Sequence, residues 1–323
     1  ARQQPLRIVF SEGANDTIQR AAAILAEEGI AQPVLLGDEA QVREGLGRLG
    51  VDPTGLTVVD PARHPRREAY AAAYLALRQR RGVMPPTAAQ RLRRPDYFGA
   101  MMVHGGDADM LMSGVDQHYA DSLRVMLEAI GPGESVRRVS SYYLVLLPRE
   151  VYALADCAVN IDPDAEGLAE TALLTAQTVR VIGIEPRVAM LSFSNFGAVD
   201  HPLARKVRRA TALVKAAAPG LTVDGEMHLD TAVVEEIVRE NYPHSRIKGD
   251  ANVLIFPNLA AGNIGYKLVQ RLGRAESIGP ILMGMAKPVA VLQHGTTVAD
   301  IVNLAAINAV MVDMHVPAPA AVR

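Results

Sequence analysis

A chain of 323 residues, 49% of them apolar, is long for one core and suits two domains. A formal net charge of −2, with no basic block interleaved with aromatics, argues against nucleic acid as partner. No apolar run reaches the ~18 residues of a membrane span and no signal peptide is visible, so the expected compartment is the cytoplasm.

In chain order, Ala1 is expected to reflect either removal of an initiator methionine or a domain cut from a longer chain. A first strand is predicted over 7–10, and Ser11-Glu-Gly-Ala-Asn-Asp16 turns into a helix closing at Gly29. Strands over 33–36 and 57–59 flank a helix over 41–49. A helix over 66–81 ends in Leu77-Arg-Gln-Arg-Arg-Gly82. Those arginines complement the helix dipole. They read either as a solvated helix end or as an anion site, since guanidinium forks suit phosphates. A helix over 88–103 and a strand over 108–113 lead through Gly114 into a helix start at Asp116.

Gly131-Pro-Gly-Glu-Ser135 is a linker. Strands over 139–147 and 152–160 are joined by Pro148-Arg-Glu150. Cys157, the single cysteine, excludes an intramolecular disulfide and reads as an inert thiol inside the second of these strands. Eight scattered histidines offer no four-ligand zinc cluster. Asp162-Pro-Asp164 caps a helix ending near Gly183, a strand runs over 188–193, and Ser194-Asn-Phe-Gly197 is the loop after it. A helix starts at Pro202, a strand spans 221–226 and a helix 231–240.

The last third holds a strand over 253–256 stopped by Pro257 and a helix over 259–272, capped by Asn258 and ended by Gly273. Gly262 and Gly265 cost that helix roughly 1 kcal/mol each relative to Ala, which implies close approach by a ligand or another helix. A strand over 279–284 follows, and Gly295 permits a sharp turn into a helix capped by Thr296 or Thr297, with Asp300 in its first turn. From Pro317 the chain is expected to fray. The alternation implies parallel α/β sheets with ligand at the strand–loop–helix ends. No Gly-x-Gly-x-x-Gly follows a predicted strand, which counts against a nicotinamide dehydrogenase.

Phe256-Pro-Asn-Leu-Ala-Ala-Gly-Asn-Ile-Gly-Tyr-Lys267 and Ile278-Gly-Pro-Ile-Leu-Met-Gly-Met-Ala-Lys-Pro-Val289 resemble the signatures of the phosphate acetyl/butyryltransferase (phosphotransacetylase) family. The resemblance runs from Arg7 to about Asp313. It comes closest to the phosphotransacetylase-like C-terminal domain of bacterial NADP-dependent hybrid malic enzymes. It implies two α/β/α domains of the isocitrate/isopropylmalate dehydrogenase-like superfamily, residues 1–134 with 290–323 and residues 135–289, with a cleft between them. It also implies a homodimer or higher homo-oligomer. Acetyl-CoA is the implied ligand, with Arg78, Arg124 and Asp300 on one wall, Ser194, Asn195 and Gly197 facing them, and Asn263, Gln293 and His294 nearby. Asp300 occupies the position of the family's thiol base.

Acetyl transfer between CoA and phosphate needs a base for the thiol, cations for the phosphate and a donor for the carbonyl oxyanion. The family's Ser-Arg pair is replaced here by Gln293-His294, and its Ser-Thr-Lys-Gly-Ser loop by Ser194-Asn-Phe-Gly-Ala198. His118-Tyr119-Ala120 is bulkier than the usual small residues and threonines, and Val125 replaces a common proline. Losing one placed donor costs about 10²–10³ in rate, and imidazole offers no five-donor fork. The resulting expectation is a regulatory domain of an NADP-dependent malic enzyme, binding acetyl-CoA as allosteric inhibitor, with little or no transfer activity. On that expectation this domain holds no cofactor, and NADP and a divalent metal belong to a malic enzyme catalytic domain in the same polypeptide. The alternatives are an active phosphate acetyltransferase, with Asp300 catalytic, and a structural oligomerisation module.

Overall fold

Residues 5–313 are described by the computed structural model and divide into two units, 5–133 with 285–313 and 134–284. The tail expected to fray lies outside the described residues. In chain order the first stretch holds β1 (Leu6–Phe10), α1 (Asp16–Glu27), β2 (Ala31–Leu36), α2 (Glu39–Leu49), β3 (Thr57–Val59) and α3 (Arg67–Arg78). After a 3-10 turn, Gln79–Arg81, come α4 (Pro85–Arg91), α5 (Pro95–His104), β4 (Met110–Ser113) and α6 (Tyr119–Ala129). The second unit holds β5 (Ser140–Leu146), β6 (Val151–Ala155), α7 (Ala165–Val181), β7 (Arg187–Leu191), α8 (Pro202–Ala217) and β8 (Thr222–Met227). It continues with α9 (Leu229–Val233), α10 (Glu235–Asn241), β9 (Val253–Ile255), α11 (Leu259–Arg271) and β10 (Glu276–Met283). The chain then returns to the first unit with β11 (Val289–Val291) and α12 (Val298–Asp313).

The first unit is built on one sheet in the order β11-β4-β1-β2-β3, parallel throughout. Every residue of β4 and β11 is buried, as suits parallel strands covered on both faces. The Asn15 side chain caps α1 by accepting from Thr17 and Ile18 N–H, and Asp38 caps α2. The single helix expected over 88–103 is two, because Pro95 takes the first position of α5, where its missing N–H costs nothing.

The second unit's sheet runs β10-β5-β6-β9-β7-β8. It is mixed rather than all parallel: β10, β5 and β6 pair antiparallel, the rest parallel. The Pro148–Glu150 connection is too short for a crossover, so β5 and β6 form a hairpin. The strand expected over 152–160 stops at Ala155. There the Asp156 carboxylate accepts N–H bonds from Ala158 (3.0 Å), Val159 (3.2 Å) and Asn160 (3.0 Å), folding the chain into a turn. The helix expected over 231–240 is also two, divided at an extended Val234 after a β-branched run that suits a helix poorly.

The Asn258 side chain caps α11 by accepting from Ala261 N–H at 3.0 Å. Gly262 lets that helix close on the end of β6: a Cβ there would stand 2.3 Å from the Asp156 carbonyl oxygen. Gly265 faces the Phe256 ring in the same way, at 3.1 Å. The close approach read from these glycines is therefore made by the chain's own strand end and ring. Tyr266, on the same helix, stacks on Tyr143 with ring centroids 4.1 Å apart. No helix among the described residues is long and apolar enough to cross a membrane.

Candidate functional site

In the first unit the strand order reverses between β1 and β4, since β2 follows β1 on one side and β11 lies beyond β4 on the other. The crevice outside the carboxyl ends of such a pair is where open α/β sheets bind ligands. Here those ends are stitched together. Gly114 N–H donates to Glu12 Oε1 at 2.8 Å and the Ser11 hydroxyl donates to Glu12 Oε2 at 2.7 Å. Leu292 N–H donates to the Ser113 carbonyl at 2.8 Å, and Asn15 Nδ2 to Asp116 Oδ1 at 3.0 Å. Gly114, at φ +120°, is obligatory, because a Cβ would stand 2.6 Å from the Leu292 carbonyl oxygen. Burial raises the Glu12 carboxyl above its ordinary range despite the Ser11 and Gly114 donors.

A cavity of about 530 Å³ opens in this unit. Arg94 and Tyr97 line it from the start of α5, Asp116, Gln117 and His118 from the β4–α6 loop, Asp121, Arg124 and Val125 from α6, and His294 from the turn after β11. His294 sits near the tip of that turn, which Thr296 closes on the Gln293 carbonyl through its N–H (3.0 Å) and hydroxyl (2.6 Å). Arg124 is exposed and pairs with Asp121 at 3.0 Å. The Arg94 guanidinium lies over the Tyr97 ring at 5.1 Å and grips Asp96 through Nε (3.1 Å) and Nη2 (2.5 Å).

Of the five sequence-predicted site residues on this unit, Arg124 and His294 meet in the cavity, while Arg78, Gln293 and Asp300 lie outside its lining. Asp300 caps α12: its Oδ2 accepts from Thr297 N–H (2.8 Å) and hydroxyl (2.7 Å), and its own N–H returns to Thr297 Oγ1 (3.2 Å). Arg78 is largely buried at the end of α3, its Nη2 3.9 Å from Glu128. Glu128 is a hub that also accepts from Tyr74 (2.7 Å), Tyr97 (2.8 Å) and Arg91 (2.6 Å). Burial pushes its carboxyl upward, but the two tyrosine hydroxyls and the arginines outweigh that and hold it low. Tyr97 thus belongs both to the hub and to the cavity wall. A single helix over 88–103 sets Arg94 mid-helix, where nothing marks it for a site; Pro95, suited to a first helical position, is the signal that Arg94 stands at a helix start.

The other four predicted residues belong to the second unit. Ser194 and Asn195 are buried, turned inward to brace their own loop. Glu226, with no exposed surface, accepts from the Ser194 hydroxyl (3.1 Å), Gly197 N–H (2.8 Å) and Arg208 twice (3.0 Å each). Burial opposes ionisation of Glu226, yet Arg208, Gly197 and Ser194 hold its carboxyl below the ordinary range. Asn195 accepts from His228 N–H (2.7 Å) and donates to Tyr242 (3.2 Å). Phe196, at φ +46°, lays its ring against His244 and Tyr242, 4.9 and 5.2 Å between centroids. Asn263 donates to the Cys157 carbonyl at 3.1 Å. The Cys157 thiol is buried, and burial, then the Asp156 charge, keeps it well above its ordinary value. Among the described residues no group of three His, Cys, Asp or Glu is placed to hold a metal ion.

The phosphate acetyl/butaryl transferase family model matches residues 1–309. A phosphate acetyltransferase of Thermoanaerobacterium thermosaccharolyticum is 42% identical over 317 residues, covering 96% of this chain and 96% of that protein. One of Nitratidesulfovibrio vulgaris is 42% identical over 310 residues, 96% of this chain, which spans only 44% of that relative's length. A crystal structure of a phosphotransacetylase from Streptococcus pyogenes superposes with a TM-score of 0.92 at 39% identity, covering 96% of this chain and 94% of that one.

These findings overturn the expectation of a malic enzyme regulatory domain inhibited through acetyl-CoA. Relatives matched over 94–96% of their own length are phosphate acetyltransferases, whereas the NADP-dependent malic enzyme of Escherichia coli, 39% identical, is matched over 42% of its length. The effector role falls with it, and these matches lend the malic enzyme partner domain no support. The physical ground for that expectation was lost positive charge at Gln293-His294. A guanidinium outside the expected set, Arg94, stands in the same cavity as His294.

Proposed function

The chain belongs to the phosphate acetyl/butaryl transferase family, and on that premise we propose that it moves an acetyl group between coenzyme A and inorganic phosphate. A phosphate oxygen attacks the thioester carbonyl carbon, the C–S bond breaks, and acetyl phosphate and CoA, its thiolate reprotonated, leave; in the reverse direction the CoA thiol gives up its proton, its sulfur attacks the carbonyl carbon of acetyl phosphate, and the C–O bond breaks to release inorganic phosphate. The observation that carries the reading is the cavity at the carboxyl-end crevice, where Arg94 and Arg124 supply guanidinium donors beside two imidazoles.

In this reading Arg124 contacts ligand phosphate, and Asp300 takes the thiol proton through the carboxylate oxygen not committed to capping Thr297. His294 from the cavity wall, with Gln293 beside it in the chain, polarises the carbonyl oxygen in this reading. Arg78 shapes the remainder of the first unit's part of the site through Glu128. A homo-oligomeric, cytoplasmic enzyme of isocitrate/isopropylmalate dehydrogenase-like fold belongs to the same reading.

The test is direct. The full chain incubated with acetyl-CoA and inorganic phosphate is expected to release CoA thiol and form equimolar acetyl phosphate, and to run backwards from acetyl phosphate and CoA. No turnover in either direction would refute the proposal.

A further inference from the structure

We infer that Arg94 and Arg124 form a two-guanidinium clamp for a phosphoryl group, and that the Asp121 carboxylate rests in the clamp as a built-in stand-in anion that the ligand displaces. The inference deepens the transferase reading and rests on it for the ligand's identity, but its geometry stands by itself.

All three side chains line the one cavity. Arg124 is held by Asp121 at 3.0 Å, a contact between residues three apart on an exposed helix face, with 63% and 46% of the two side chains accessible. Such an exposed pair is worth little, so a dianion offering several acceptor oxygens displaces it readily. Arg94 differs in kind. Asp96, buried to 1%, takes its Nε and Nη2, and Tyr97 holds the guanidinium plane. Tyr97 is itself fixed through its hydroxyl on Glu128. Asp96 is not part of the cavity lining, so Nη1 and the second hydrogen of Nη2 are the donors left for a ligand. A fork fixed in advance loses little freedom when it binds an anion. Its bond to Asp96 pushes the Arg94 guanidinium up against the effect of burial, with Asp121 among the further carboxylates it feels. Asp121 thus touches Arg124 and shares the cavity wall with Arg94. The other ionisable side chains of the lining are Asp116, tied to Asn15, and His118 and His294.

The phosphoryl group has two sources, inorganic or acyl phosphate and the phosphates of CoA. Calorimetric titrations of the full chain with inorganic phosphate, CoA and 3′-dephospho-CoA separate them, using wild type, Arg94→Gln, Arg94→Lys and Asp121→Asn. Arg94→Gln is expected to weaken one phosphoryl ligand roughly ten- to hundred-fold, with Arg94→Lys between it and wild type. Asp121→Asn is expected to tighten the same ligand several-fold. If inorganic phosphate responds, the clamp serves the acyl-acceptor side; if CoA responds and 3′-dephospho-CoA does not, it holds the 3′-phosphate. Affinities within two-fold for all three ligands in Arg94→Gln, or weaker binding in Asp121→Asn, would overturn the inference. Binding needs no turnover, so a wild type that binds phosphate through Arg94 yet makes no acetyl phosphate would sink the transferase reading alone.

Discussion

Replacing Gly262 by Ala sets two effects of opposite sign against each other. Helix propensity favours Ala by about 1 kcal/mol in the interior of α11. The new Cβ, however, would lie 2.3 Å from the Asp156 carbonyl oxygen and 3.3 Å from Cys157 Sγ. Ordinary carbon–oxygen contact begins roughly 1 Å further out. The obstructing atom is backbone, held by the turn that the Asp156 carboxylate ties to three N–H groups, so it cannot rotate away. The helix must lift off the end of β6, disturbing the Tyr143–Tyr266 stack. Overpacking of this kind costs about 1–3 kcal/mol and more where backbone blocks relaxation. The net expectation for Gly262→Ala is a loss of about 2 kcal/mol, or a fall of about 4–8 °C in melting temperature for a unit of this size. Gly265→Ala is the control, because the Phe256 ring it meets at 3.1 Å can tilt. Urea midpoints for wild type and both variants decide the matter. A Gly262→Ala protein as stable as wild type, or more so, would show that propensity outweighs the contact and refute the reasoning.

Glu226→Ala is expected to cost about 3 kcal/mol by urea unfolding, because it strips the acceptor from Ser194, Gly197 and Arg208; a change under about 0.5 kcal/mol would show the anchor to be idle. Glu226 has a depressed carboxyl, so its stabilising contribution is present at neutral pH and lost only as pH falls through and below the ordinary glutamate range. Glu12 runs the other way: its folded carboxyl binds a proton more tightly than the unfolded one, so stability is full below the ordinary glutamate range and declines as pH rises through the elevated value. Glu12→Gln keeps an acceptor for Gly114 without the charge, and its melting temperature relative to wild type is expected to rise from pH 4 to pH 8; a flat difference would refute that.

Local chemistry made much of the fold legible. Alternating apolar runs and helical stretches located the strands, and Asn258 and Gly295 marked a cap and a turn through rules that depend on few neighbours. What escaped depended on contacts distant in sequence or on one residue overriding a pattern. Pro95 cuts a helix that apolar spacing alone carries through. The three-residue β11 is recognisable only by its register with β4. Gly262 shows that an unfavourable helix residue signals close approach but does not name the neighbour. In the site, Arg124 and His294 fall in the cavity because motifs mark loop ends. Ser194 and Asn195 are polar residues in a loop, and a sequence does not say whether such side chains face water or brace the loop from within. Only the position of Glu226 does. Arg94 carries no motif; it acquires significance from Asp96 behind it and Tyr97 beneath it.

The way the chain leaves the first unit at 133 and comes back at 285 bears on how it is made. The central segment is continuous, so it has all its strands as soon as it has emerged from the ribosome. The flanking sheet must wait, with β4 open along one edge, through the translation of about 150 further residues, on the order of ten to thirty seconds. During that interval a nascent chain exposes the unpaired edge of a strand that reads Met-Leu-Met-Ser, the feature that chaperones shield and that seeds aggregation when they do not. Slowing synthesis across the central segment is therefore expected to lower the soluble yield.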